Sequence, residues 1–221
     1  MEITKELAEL VGIISGDGCL SSRKQKYVIY ICGHKIDDKE YHETVIVKLF
    51  LDVFGKIVKV QERRKENAIF IRFTDKVIFE IFKSIGLPVG KKYDTLRIPN
   101  QIVTNTKLSI AYVRGFFDTD GCVVFSKQHR NYHYYPRLEI ASKSRKILED
   151  IFMVLTDLGF YGSISSKGRH FRLEIPGFRN LDLWVKIIGF NNPKHRNKII
   201  DYKSASGQKT GNVNSLTSLS N

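Results

Sequence analysis

The residues that could do chemistry in this sequence come as a matched pair of acids. Glu9-Leu10-Val11-Gly12-Ile13-Ile14-Ser15-Gly16-Asp17-Gly18-Cys19 is answered by Tyr112-Val113-Arg114-Gly115-Phe116-Phe117-Asp118-Thr119-Asp120-Gly121-Cys122. Asp17 and Asp120 are 103 positions apart (120 − 17), as are Gly12 and Gly115, and Cys19 and Cys122. A lone Asp-Gly is ordinarily a turn. Three coincidences in one register instead mark an internal repeat and two related halves. Each segment reads as a helix with small residues on one side, Ala8, Gly12 and Ser15 or Ala111, Gly115 and Thr119, ending at the acid. Small side chains let two helix backbones approach closely, so a pseudo-twofold axis through this pair would make Asp17 and Asp120 neighbours. Helix C-termini carry partial negative charge, and two carboxylates gathered there repel one another unless a cation lies between them. A hard divalent cation such as Mg2+ takes oxygen ligands and keeps several waters. It would polarise a phosphate, lower the pKa of water and stabilise a leaving oxygen, so the chemistry expected is phosphodiester hydrolysis.

The register returns near the end of each half, where Ile85-Gly86-Leu87-Pro88-Val89-Gly90-Lys91-Lys92 parallels Ile188-Gly189-Phe190-Asn191-Asn192-Pro193-Lys194-His195. Lys91 and Lys194 match in position, and Lys92 is an alternative for the first.

The elements that must position these residues read alike in both halves. Leu7, Leu10, Val11 and Ile14 recur at helical spacing up to the Asp-Gly stop. Tyr27 to Cys32 reads as a strand, and residues 38–53 return to helical spacing. A hairpin follows with arms 56–61 and 68–73, in which Ile69, Ile71 and Phe73 alternate with Phe70 and Arg72. The second half has a matching hairpin across 163–175. The expected fold is α+β: two pseudo-symmetric αββαββα halves, with antiparallel sheets forming a saddle and a helix pair at the interface. The expected boundaries are an N-terminal half over 1–98, a linker over 99–107, a C-terminal half over 108–202 and a polar tail over 203–221.

Composition bounds the partners. With 36 Lys and Arg against 23 Asp and Glu, the 221 residues carry a net charge of +13, while 42% are hydrophobic. That is a folded basic body rather than a disordered tail, and it points to a polyanion. Three cysteines, an odd number without metal-ligand spacing, fit reduced thiols and argue against zinc. The cysteines after each Asp-Gly are expected to be small buried residues. The charged opening and the absence of a long apolar run fit a soluble intracellular protein with no membrane partner.

Helix, small residue, acid and glycine, given twice about a hundred residues apart, resembles the single-chain LAGLIDADG homing endonucleases. The resemblance covers both halves and leaves out the tail. It implies a site-specific endonuclease, encoded by a mobile intron in the archaeal or organellar manner, acting as a monomer on double-stranded DNA. It further implies Asp17 and Asp120 as catalytic metal ligands, with the carbonyls of Gly16 and Thr119, and Mg2+ as cofactor with Mn2+ or Ca2+ able to substitute in binding. By the same resemblance Lys91 and Lys194 balance phosphate charge or order water. His34 with Lys35, and Ser142 with Lys143, correspond to water-positioning places. Ser15 stands where an earlier acid is common, whereas Asp118 keeps it. DNA would be contacted by the sheet faces, phosphates by Lys and Arg and base edges in the major groove. In the first half the candidates are Arg23, Lys24, Lys26, Tyr30, Lys35, Lys59, Gln61, Arg63, Arg64 and Arg72. In the second they are Lys127, Gln128, Arg130, Arg137, Glu139, Lys143, Lys167, Arg169 and Arg172. The halves differ at these positions, so the target should be asymmetric. The alternatives are an RNA maturase bound to intron RNA, and a non-cleaving DNA-binding regulator on the same scaffold. An intein-embedded nuclease is disfavoured, because the chain leaves no room for splicing blocks on both sides.

Overall fold

The computed structural model describes residues 2–22, 26–63, 66–92 and 95–205. The first half runs α1 (Lys5–Gly16), β1 (Gly18–Ser21), β2 (Val28–His34), a π-helical stretch (Tyr41–Ile46) continuing as α2 (Val47–Phe54), β3 (Val60–Glu62), β4 (Ala68–Thr74) and α3 (Lys76–Ile85). A short α4 (Asn100–Val103) leads to the second half: α5 (Thr106–Asp120), β5 (Gly121–Ser126), β6 (Tyr135–Ser142), α6 (Arg145–Asp157), β7 (Ser163–Lys167), β8 (His170–Pro176), α7 (Phe178–Ile187) and α8 (Pro193–Ala205). The two antiparallel sheets have the same strand order, β1-β2-β4-β3 and β5-β6-β8-β7. This is the mixed α+β, twice-repeated αββαββα arrangement that the sequence pattern predicts.

Local chemistry explains the boundaries. Thr4 caps α1 by accepting from the Leu7 N–H, and Asp75 caps α3 by accepting from Val77 and Ile78. Gly55 closes α2 in the left-handed region at φ 59°, where a side chain would be strained. Strand alternation sends Ile29, Ile31, Ile69 and Ile71 inward, and Val123, Leu138, Ile140 and Leu173 do the same in the second sheet.

Helices α1 and α5 form the centre, and glycine sets their separation. A Cβ at Gly12 would stand 2.2 Å from the Tyr112 carbonyl oxygen, and one at Gly115 would stand 2.3 Å from that of Glu9. No residue with a side chain fits either position without moving a backbone. Beside this contact the Arg114 guanidinium bonds the buried Glu9 carboxylate at 2.6 Å.

Three expectations about elements need correction. The segment 99–107 contains α4, whose Ile102 is fully buried and whose carbonyl accepts the Ser109 hydroxyl at 3.0 Å, so it is packed structure rather than plain linker. Helix α8 runs through residue 205, past the expected start of the tail, while residues 206–221 lie outside the described residues. The arm expected over 56–61 joins the ladder only from Val60; ahead of it the Lys56 ammonium bonds the Asp75 carboxylate at 2.9 Å.

Candidate metal and nucleic-acid site

Asp17 is the C-cap of α1 and Asp120 the last residue of α5, so the close helix contact carries both acids to one place. A Cβ at Gly16 would lie 2.0 Å from Thr119 Oγ1 and 3.6 Å from Asp120 Cγ, which sets the Asp120 carboxyl against the last turn of α1. The Asp17 carbonyl is clasped by β2, accepting from the Cys32 N–H at 3.2 Å and its thiol at 3.4 Å. Burial lifts Asp17 to about 6, helped by the Asp38 charge and opposed by Lys194 and Lys92. Burial lifts Asp120 to about 7, with the Asp17 charge adding to it. Two half-buried carboxylates that resist ionisation in each other's presence form a seat for a cation.

Part of that seat is held by a side chain. The Lys92 ammonium donates to the carbonyls of Ile14 (3.2 Å), Ser15 (2.7 Å) and Gly18 (2.8 Å), and to that of Gly16. Burial lowers its pKa, while Asp120 and Asp17 act to raise it. Lys91, the residue in register with Lys194, is exposed. The reason is local: Val89 bridges to Leu20 and the Gly90 N–H donates to the Leu20 carbonyl at 2.8 Å, an anchor that leaves position 92 turned towards the end of α1.

Lys194 is held differently. Its ammonium bonds Asp38 Oδ1 at 2.8 Å, and Asp38 also accepts from the His34 N–H (2.8 Å) and the Asn192 side-chain amide (2.9 Å). Burial pushes the Asp38 carboxyl up, but its hydrogen bond and charge pairing with Lys194 bring it below the ordinary value. The loop delivering Lys194 is fixed by Asp118, fully buried, whose Oδ2 accepts from the N–H groups of Asn191 (2.8 Å) and Asn192 (3.1 Å). Burial, with the Glu9 charge next, lifts Asp118 to about 8. Asp118 therefore positions a loop rather than facing the acid pair.

Asp38 and Asn192 were missed in the sequence. A signal for the second was present: Asn192 followed by Pro193 is a helix N-cap with proline at the first helical position, and its Oδ1 does accept from the Lys194 N–H at 3.1 Å. His34 does not reach the acids, since its ring lies 3.0 Å from Asp37 and its backbone N–H supplies the contact to Asp38. Ser142 and Lys143 line a cleft of about 210 Å3 with Ser15, Lys92 and Asp120.

Pairing registers sort the remaining candidates. Cys19, Tyr30 and Arg72 lie side by side across the outer face of the first sheet, as do Cys32, Phe70 and Gln61. Arg63 donates to the Tyr30 hydroxyl at 2.9 Å and pairs with Glu66, while Lys35 pairs with Glu62 at 2.7 Å. Lys26 and Lys59 are exposed. On the second sheet Glu139 bonds Arg137 at 3.0 Å and Arg172 at 3.1 Å, and Glu174 lies 3.7 Å from each arginine. Lys127, Gln128 and Arg130 are exposed in the β5–β6 loop, with Arg130 over the Tyr134 ring at 4.7 Å, and Arg169 is exposed at the β7–β8 turn. Arg23, Lys24, Arg64 and the Lys167 side chain lie outside the described residues. Cys19 is half-buried and Cys122 exposed, against the expectation of burial, because the register puts them on the outer faces opposite Tyr30 and Glu139.

Among the described residues no group of three or more His, Cys, Asp or Glu gathers as a metal site, and no helix is long and apolar enough to cross a membrane. Two carboxylates and a row of helix-end carbonyls that already accept an ammonium are the oxygen donors a hard cation takes, so the residues present fit one.

A family model described as a LAGLIDADG-like domain matches residues 107–189. The ribonucleoside-diphosphate reductase NrdEB subunit alpha of Bacillus subtilis (strain 168) is 25% identical over 189 residues, 77% of this chain and 16% of that protein. Across the curated relatives reported, the chain spans between 12% and 57% of the relative's length. Among solved structures, I-DmoI in complex with DNA and Mn matches at a TM-score of 0.60 and 20% identity, over 84% of this chain and 96% of that one. Full-length DUF199/WhiA from Thermatoga maritima matches at 0.60 and 19% identity, over 95% and 63%. Repeated motif, domain match and two-sheet fold agree: residues 107–189 match a LAGLIDADG-like domain, the whole chain shares the fold of I-DmoI, and together they support a LAGLIDADG-type chain with two motifs.

Proposed function

We propose that this protein is a homing-type endonuclease that cuts both strands of a long, asymmetric double-stranded DNA site with the help of a divalent metal. The observation that carries the reading is the meeting of Asp17 and Asp120 at the ends of two glycine-packed helices, in a seat of helix-end carbonyls. Asp17, Asp120 and the carbonyls of Gly16 and Thr119 would hold the metal, which when bound supplies Lewis-acid activation of phosphate and water. Lys92 and Lys194 bring positive charge from either side to balance the scissile phosphates. Asp38 and Asp118 keep the second of these in place, and the sheet faces hold the duplex. Support for DNA as the ligand comes from the net charge of +13 and from the fold shared with a protein solved on DNA. Support for a mobile element comes from a relative in which the similar segment is only 16% of a longer protein named for other chemistry.

One feature favours a second reading, DNA binding without cleavage: the Lys92 ammonium already covers the Gly16 carbonyl that a metal would take. Cleavage of a randomised duplex library with Mg2+, against EDTA and Asp17→Asn controls, separates the two. Cuts at one long site that need both metal and Asp17 are expected. Tight duplex binding with no cut in any metal would establish the second reading instead.

A further inference from the structure

The two central helices have another end. Their N-termini lie roughly 18–21 Å from the acids, at a rise of 1.5 Å per residue, and a cleft of about 400 Å3 opens there between α1, α5, α7 and α8. Its apolar wall is built from Ile110, Ala111, Val185, Ile187, Ile188 and Phe190. Its charged lining is one-sided: Lys5, Lys107, Arg114, Lys186 and Arg196 are present beside the neutral Asn191, and no carboxylate lines it among the described residues. Arg114 is spent on Glu9. Lys5, Lys107, Lys186 and Arg196 have no ion-pair partner among the described residues, and the three lysines are exposed. On the saddle side Lys35, Arg63, Arg137 and Arg172 are each paired with a glutamate, while Lys26, Lys59, Lys127 and Arg169 are exposed as the lysines here are. Two helix N-termini add positive potential to the same end of the molecule.

Unpaired like charges around a concavity repel one another, a cost that an anion relieves. The apolar wall asks in addition for a flat or aliphatic group beside the negative charge. A nucleotide meets both requirements: its base covers the apolar wall and its phosphates meet the lysines. A duplex does not, because its bases are stacked inside and cannot enter a cleft of this size. We propose that this cleft binds a single-stranded polynucleotide segment, at a site separate from the duplex-binding saddle and able to be filled at the same time. The inference stands on the cleft alone and does not require that the protein cuts DNA.

The test is fluorescence anisotropy of labelled RNA and DNA 12-mers on the full chain, with unlabelled duplex in saturating excess and ATP as a competitor. Either 12-mer is expected to bind in the presence of duplex, with affinity falling steeply as salt rises. The double variant Lys107→Glu/Lys186→Glu should lose at least tenfold in 12-mer affinity while its duplex affinity moves less than threefold. The milder Lys107→Gln/Lys186→Gln, which keeps exposed polar side chains and so does not threaten folding, should lose about threefold. Displacement of the 12-mer by duplex, or unchanged 12-mer binding by both variants, would overturn the proposal. ATP binding as tightly as the 12-mer would overturn the strand in favour of a small nucleotide.

Discussion

The two halves share a strand order and a glycine at the same helix contact, yet each secures its lysine and its sheet face in a different way. In the first half Lys92 rests on backbone carbonyls at the end of its own half's helix. In the second, Lys194 reaches across to a carboxylate of the first half, Asp38. The first sheet presents Tyr30, Arg72, Phe70 and Gln61 outward, whereas the second sets Arg137 and Arg172 against Glu139 and Glu174. Symmetry is kept where backbones touch, since a Cβ at either glycine collides with a carbonyl. It is lost where side chains face solvent or ligand, and there one half is free to differ from the other.

The comparison can be broken first at the acids, where the halves are alike. Asp17→Asn and Asp120→Asn should each lower double-strand cleavage by at least about a thousandfold, roughly 4 kcal/mol of barrier, with duplex affinity held within threefold. Retention of full cutting by either variant in a plasmid assay would remove that residue from the chemistry.

Next in size is pH. Asp17 and Asp120 hold their protons to about 6 and 7 in the folded chain against an ordinary aspartate value of 3.8. Through these two groups, and through Asp118 raised to about 8, the folded state holds protons that the unfolded one has lost, so their contribution to stability falls as pH rises from roughly 4 to 8, while His195, lowered to about 3, opposes them below about 6.5. In EDTA, denaturant midpoints at pH 5 and pH 8 should differ in that direction, Asp120 contributing about 3 kcal/mol. Asp120→Asn should flatten the dependence, and an unchanged slope would mean that burial does not govern the pair.

The helix contact comes third. Gly12→Ala and Gly115→Ala should each cost about 2–3 kcal/mol, by similar amounts in a chemical melt. A neutral result at one of them would show that the symmetry of the contact is only apparent. The smallest effect concerns the second sheet, where Glu139→Gln releases two arginines from their partner. Affinity for random duplex should rise about threefold to tenfold with a steeper salt dependence, while the preference for the target falls; filter binding at three salt concentrations reads both.

Much of this was legible in one dimension. The 103-residue register, the αββαββα order and the pairing of Asp17 with Asp120 are local or periodic features, and hydrophobic alternation and helix stops record them directly. The site's supporting residues were legible only in part. Register pointed to Lys91, but a bridge between Val89 and Leu20 and a turn at Gly90 turned Lys92 inward. Asp38 stayed hidden because its partners, Asn192 and Lys194, are more than 150 positions away. His34 was drawn by position, yet its ring faces Asp37.

By itself, then, the sequence determined what repeats, which acids end the two helices and that the body is strongly basic. These properties are carried by residue type and spacing along one chain. Only the tertiary structure decided which lysine meets the carbonyls, which carboxylate holds the other, how the second sheet neutralises its own arginines, and that four cations with no ion-pair partner among the described residues surround a cleft at the far end. Those depend on side-chain direction and on contacts between residues far apart in the chain, which a linear pattern does not encode.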